Sequence, residues 1–100
     1  MAFLAGERGE YDLAARNVFE AKTRLFAVWR TANEGYLLPE QVWDNRPPSG
    51  RTGFAAGTGT TSATPLAWAH AQFVRLAFDI AAGRLLEQPK IVARRYLQPR

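Results

Sequence analysis

The stretch Gly35-Tyr36-Leu37-Leu38-Pro39-Glu40-Gln41-Val42-Trp43-Asp44 decides how this chain is read. Gly35 and Pro39 make it a poor helix, since glycine gives up backbone entropy there and proline lacks the N–H donor. Yet it carries Leu37, Leu38 and Val42, the aromatics Tyr36 and Trp43, and the carboxylates Glu40 and Asp44. Surface connections are usually small and polar, so an apolar one with a carboxylate at its centre either packs under neighbouring structure or lines a pocket.

The flanks are helical in pattern. Upstream, Tyr11, Ala14, Ala15, Val18, Ala21, Leu25, Val28 and Trp29 recur at the three-and-four spacing of one helical face, which predicts a single long amphipathic helix over about residues 10–33. Asp12 with Arg16 and Glu20 with Arg24 are placed on its outer side as pairs four residues apart, and Gly35 is expected as its left-handed stop. Downstream, Thr64 can cap and Pro65 suits a first helical position, so a second helix is expected over about 65–82, ending at Gly83. Gln72, Arg75 and Asp79 form its polar stripe, and Leu66, His70, Phe73, Val74 and Ala77 share another. Nearly everything off the polar stripe is apolar, so the helix expects cover on most sides.

Between the helices lies a loop of about residues 35–63 that includes Pro47-Pro48 and the glycine-rich run from Ser49 to Thr61. The run lacks a P-loop's lysine, and no strand precedes it. It reads as a surface loop, with a flap over a pocket as the functional alternative. Residues 83–100 read as a terminal tail, basic from Lys90 to Arg100.

Composition narrows the class. The chain has 100 residues, 47% of them hydrophobic and 12% aromatic, which argues against disorder and allows one small domain or a piece of a larger one. Neither a transmembrane run nor a secretory signal is written in it, so a cytoplasmic location is the default expectation. There is no cysteine and only one histidine, His70, so no metal site and no cofactor are expected. A net charge of +4 and a pI near 10.1 raise nucleic acid as a partner, but the arginines are mostly interleaved with acids and no binding motif accompanies the tail. Neither nucleic acid nor membrane is expected. Two packed helices bury one seam and leave the rest wet, so the chain reads as part of a larger helical architecture.

Glu40 follows a proline and is bracketed by Tyr36 and Trp43, with Trp68 further along at the start of the second helix. Rings beside a carboxylate suit a sugar, because the rings pack on C–H faces while the carboxylate handles water or hydroxyls. A partly buried loop acid paired with an arginine fits the same residue types. His70, facing the apolar stripe, reads as a hydrogen-bonded core residue rather than a catalytic one.

Leu38-Pro39-Glu40-Gln41-Val42-Trp43-Asp44, followed after the glycine-rich gap by Ser62-Ala63-Thr64-Pro65-Leu66-Ala67-Trp68-Ala69-His70-Ala71, resembles the end of the catalytic domain of glycoside hydrolase family 15. That family holds glucoamylases, glucodextranases and some trehalases, and the chain looks most like its bacterial branch. Leu4-Ala5-Gly6-Glu7-Arg8-Gly9-Glu10-Tyr11-Asp12-Leu13-Ala14-Ala15 is similar to that branch at the start of the preceding helix. The resemblance implies an all-α fold, the last helices of an (α/α)6 barrel, with residues 1–100 a C-terminal fragment of the catalytic domain. It implies inverting removal of terminal glucose from an α-glucan or α-glucoside substrate. Glu40 matches the general base that activates water and Gln41 is its motif neighbour. Trp43 and Trp68 match aromatics near the pocket, and Tyr36 is taken as a further substrate-binding candidate. His70 matches a variable position and receives no role.

An inverting glycosidase also needs a protonated acid, about 6.5–9.5 Å from the base with a water between them. In the family that acid precedes residue 1 of this chain, and neither Glu7 nor Glu10 lies in its motif. The chain is therefore expected to hold one half of a catalytic pair. The alternatives are a non-catalytic helical module that self-associates or joins a separate barrel portion through exposed apolar faces, and, less favoured, a basic nucleic-acid binder.

Overall fold

The structure, a computed structural model, describes residues 1–44 and 55–96. Pro47-Pro48 and residues 49–54 of the glycine-rich run lie outside the described residues. Four helices follow one another: α1 (Ala2–Ala14), α2 (Val18–Trp29), α3 (Ala67–Ala82) and α4 (Lys90–Tyr96). The described residues contain no strand, only an isolated bridge between Val42 and Gly59.

The expected single helix over 10–33 is two helices. α1 starts eight residues earlier than the periodicity placed it and stops at Ala14, and Arg16 takes a left-handed φ of 64°. The Arg16 N–H donates to the Leu13 carbonyl (2.9 Å) and the Asn17 N–H to that of Asp12 (2.8 Å). Asn17 then restarts the chain, its side-chain oxygen accepting from the Glu20 N–H at 3.2 Å. Asparagine is among the best residues for this because it satisfies a donor that the first helical turn leaves unpaired.

The turn changes which faces are buried. Tyr11, Ala14, Val18 and Trp29 were placed on the core face, but all four are exposed. The Glu20–Arg24 pair forms at 3.8 Å. Asp12, expected outside with Arg16, is buried and accepts from Arg8 (3.2 Å) and from Arg24 across the hairpin (3.4 Å).

α1 and α3 run in the same direction, as successive contacts show: Phe3 stacks on Trp68 with centroids 4.3 Å apart, Gly6 faces Gln72, and Gly9 faces Leu76. The two glycines permit the close approach. A Cβ at Gly6 would lie 2.6 Å from Gln72 Cγ, and one at Gly9 would lie 2.5 Å from Leu76 Cδ2. The polar stripe of α3 is therefore its buried side. Gln72 and Asp79 are buried toward α1, and Arg75 reaches Glu10 at 3.2 Å, while Val74 and Phe78 stay exposed.

α3 also begins later than expected. Thr64–Pro65 is a cis bond, Leu66 is the residue before the first turn, and Pro65 lies outside the helix. Gly83, with φ of 72°, ends α3 as expected. The basic tail contains α4, which packs against none of the other helices. No described helix is long and apolar enough to cross a membrane.

The core gathers Ala2, Phe3, Val28, Leu38 and Ala69, with Ala5, Ala32, Leu66 and Phe73 packed on it. Leu38 comes from the loop and Pro39 beside it is fully buried. Leu38 and Pro39 of the opening stretch thus serve as core, while Tyr36 and Leu37 stay exposed.

Candidate active site

The chain reverses direction after α2 through Asn33. Its side-chain oxygen accepts from the N–H of Gly35 (2.9 Å) and of Leu37 (3.0 Å), and its carbonyl accepts from Tyr36. The left-handed residue is Tyr36, with φ of 61°, rather than the expected Gly35. Asparagine side chains fold back onto nearby backbone in this way, and here the bend aims the next residues across the ends of α1 and α3.

Residues 38–43 then run beside 57–66. Leu38 accepts from the Leu66 N–H (3.0 Å), the Glu40 N–H donates to Ala63 (2.8 Å), Gln41 accepts from Thr60 (3.0 Å), and the Trp43 N–H donates to Thr58 (3.0 Å). The Glu40 carbonyl also accepts from the Ala2 N–H at 3.3 Å. Glu40 is thus fixed by its backbone on both sides. Its carboxylate is half-buried and has no hydrogen-bond or ion-pair partner among the described residues. An arginine partner, which a loop acid of this type could also take, is not found among the described residues; Arg46 and Arg51 of the same loop lie outside them.

The aromatic candidates divide between two stacks. Trp68, 57% exposed, lies on Phe3, next to the Ala2 amide that touches Glu40. Tyr36, 69% exposed, lies on Trp29 with centroids 5.8 Å apart, and Trp29 in turn is 5.9 Å from Phe73. Trp43 is half-buried on the same loop arm as Glu40, and Gln41 is exposed beside it. The starts of α1 and α3 and the end of α2 share one end of the layer, so these candidates and Glu40 collect there.

His70 is hydrogen-bonded, as its place in the pattern predicts: Nε2 accepts the Leu38 N–H at 2.9 Å. A cleft of about 700 Å³ along α3 is bordered by His70, Val74, Phe78 and Leu86, and Glu40 is not among its walls. On the α1 side of α3, burial raises the Glu10 carboxyl above its ordinary value. The neighbouring Gln72 amide and the charge of Arg75 pull it down, and Asp79 pushes it up. Among the described residues no cluster of three His, Cys, Asp or Glu could hold a metal.

Sequence reasoning missed Asn33, Asn17 and the glycine pair. Asparagine ahead of a glycine, asparagine three residues before a glutamate, and two glycines three apart inside a helix were the available signals.

No family model matches the chain. It is 39% identical over 94 residues to a glucoamylase of Clostridium sp. (strain G0005), which is 94% of this chain and 12% of that protein. Among solved structures it is similar to a bacterial glucoamylase complexed with acarbose, with a TM-score of 0.80, 37% identity, and coverage of 97% of this chain and 13% of that one. The chain thus spans about an eighth of the length of either relative. Fold and sequence together define it as a helical segment of the glucoamylase-like glycosidases, all-α and matching the helical glucoamylase barrel. Both likenesses support a glucoamylase-like segment of the kind found in glycoside hydrolase family 15.

Proposed function

We propose that this chain carries the general-base half of an inverting exo-acting α-glucoside hydrolase site, at the C-terminal part of an (α/α)6 catalytic domain. Glu40 takes a proton from the water that attacks the anomeric carbon. Trp43, Trp68 and Tyr36 offer ring faces to the sugar, and Gln41 presents its amide beside the base. The observation that carries the reading is Glu40 itself: a carboxylate on a backbone tied at both ends, half-exposed and without a partner among the described residues, at the aromatic end of the layer. A base needs such a free oxygen held in a fixed place. The acarbose complex of the relative supports an oligosaccharide as substrate of the complete enzyme.

The matching acid belongs to a part of the fold that this chain does not supply. Glu10, the buried carboxylate nearest in character to an acid, is committed to Arg75 on the α1–α3 seam. The purified 100-residue chain is therefore expected to release no glucose from maltose, soluble starch, dextran or trehalose. Glucose release that disappears in Glu40→Gln would overturn the half-site reading.

A second reading, association with another copy, is favoured by the exposed rings of Phe19 (76%) and Phe26 (60%) on α2 and Phe78 (65%) on α3. Contiguous exposed apolar surface drives contact between molecules. Light scattering is expected to show a mass above the 11.1 kDa monomer, and a monomer at all concentrations removes this reading.

A further inference from the structure

We propose that neutral His70 is the positioning residue of Glu40, acting through the Leu38 amide. This rests on the reading of Glu40 as the base. The backbone of residues 38–40 is held by the Leu66 amide, the Ala63 carbonyl, the Ala2 amide and His70 Nε2. Three of these partners are backbone, and the fourth is the side chain of His70. With Pro39 lacking an N–H, the Leu38 amide is the last donor before Glu40, and His70 is what satisfies it.

The bond sets the state of the ring. A nitrogen that accepts carries no proton, so Nε2 is bare and the proton of the neutral imidazole sits on Nδ1. Protonation makes both nitrogens donors. Nε2–H and the Leu38 N–H then oppose each other, and Leu38 must leave the ring or remain buried without a partner. Leu38 is 3% exposed, so water does not readily replace the lost acceptor. A shift at Leu38 passes to Glu40 across the rigid Pro39. Among the described residues, the charged groups that share the ring's cleft are Arg75 and Asp79 on α3 and Glu87 from the segment after it, with Glu10 on α1 paired to Arg75 and Glu40 two residues beyond the Leu38 amide. Arg75, the charged residue nearest in sequence to His70, is paired with Glu87 at 3.3 Å and with Glu10 at 3.2 Å.

Nuclear magnetic resonance on the full chain tests the proposal without any activity. At neutral pH, ¹⁵N shifts of His70 are expected to report the Nδ1–H tautomer, and the Leu38 and Glu40 amides are expected to shift in step with His70 as pH falls. Removing the acceptor in His70→Ala is expected to speed exchange of the Leu38 amide about tenfold, the effect of one ordinary hydrogen bond. His70→Gln, whose side-chain oxygen reaches the place of Nε2, is expected to restore slow exchange. Should His70→Ala fail to fold, the wild-type titration and the Gln variant still decide. An Nε2–H tautomer, Leu38 and Glu40 amides that ignore the His70 titration, or no rescue by glutamine would overturn the proposal. None of these outcomes bears on whether Glu40 is the base, which is tested separately by its own substitution.

Discussion

Glu10 occupies the α1–α3 seam with 14% of its side chain exposed, paired with Arg75 and close to Asp79. Burial is the largest influence on it and raises its folded-state pKa above the ordinary 4.5. An acid raised in this way holds its proton more tightly folded than unfolded. Its contribution is fully present below the ordinary value and is lost as pH climbs through the raised one. Stability of the chain is therefore expected to fall over that window, and Glu10→Gln is expected to flatten the fall. Urea midpoints measured across pH check this, and a wild-type profile that rises there, or an unchanged slope in the variant, would contradict it. At this scale the sequence named Glu40, Trp43 and Trp68 through a shared motif, and His70 as a hydrogen-bonded residue through its place on an apolar stripe. It did not place Gln72 and Asp79 inside, because a helical wheel records which residues share a face and not which face the rest of the molecule covers.

The seam between α1 and α3 is set by glycine. Adding a Cβ at Gly9 drives it into Leu76, which is fully buried and also confined by the Arg24 stem. Adding one at Gly6 meets the buried Gln72 at Cγ (2.6 Å), which turning the amide end does not move. Overpacking costs about 1–3 kcal/mol, against about 1 kcal/mol that alanine returns in helix propensity. Gly9→Ala and Gly6→Ala are each expected to destabilise by about 1–2 kcal/mol, read from chemical denaturation. A substitution at either glycine that leaves stability unchanged would mean that the seam is looser than the contacts indicate. The same element shows where the sequence misleads. Apolar periodicity runs unbroken from Tyr11 to Trp29, and only Arg16 and Asn17 mark the turn. Arginine is an unusual left-handed residue, so nothing in its type announces one. The α3 segment and its Gly83 stop were legible because periodicity met an end signal there, whereas α2 was merged into a longer helix whose expected stop, Gly35, is not the left-handed residue.

On the scale of the whole molecule, three helices enclose one seam and leave large aromatic side chains in water. The chain matches 12% of a glucoamylase in sequence and 13% of another in structure. On the proposed reading of Glu40, the layer supplies one of the two carboxylates that an inverting site needs. The most direct measurement replaces the matching segment of the acarbose-binding bacterial glucoamylase with this chain and compares Glu40 with Glu40→Gln. If Glu40 is the base, the exchanged enzyme hydrolyses maltose to β-glucose, and the substitution lowers kcat by about 10²–10⁴-fold with KM little changed. A Glu40→Gln enzyme that keeps its kcat within about threefold, less than any general-base contribution, would contradict the assignment.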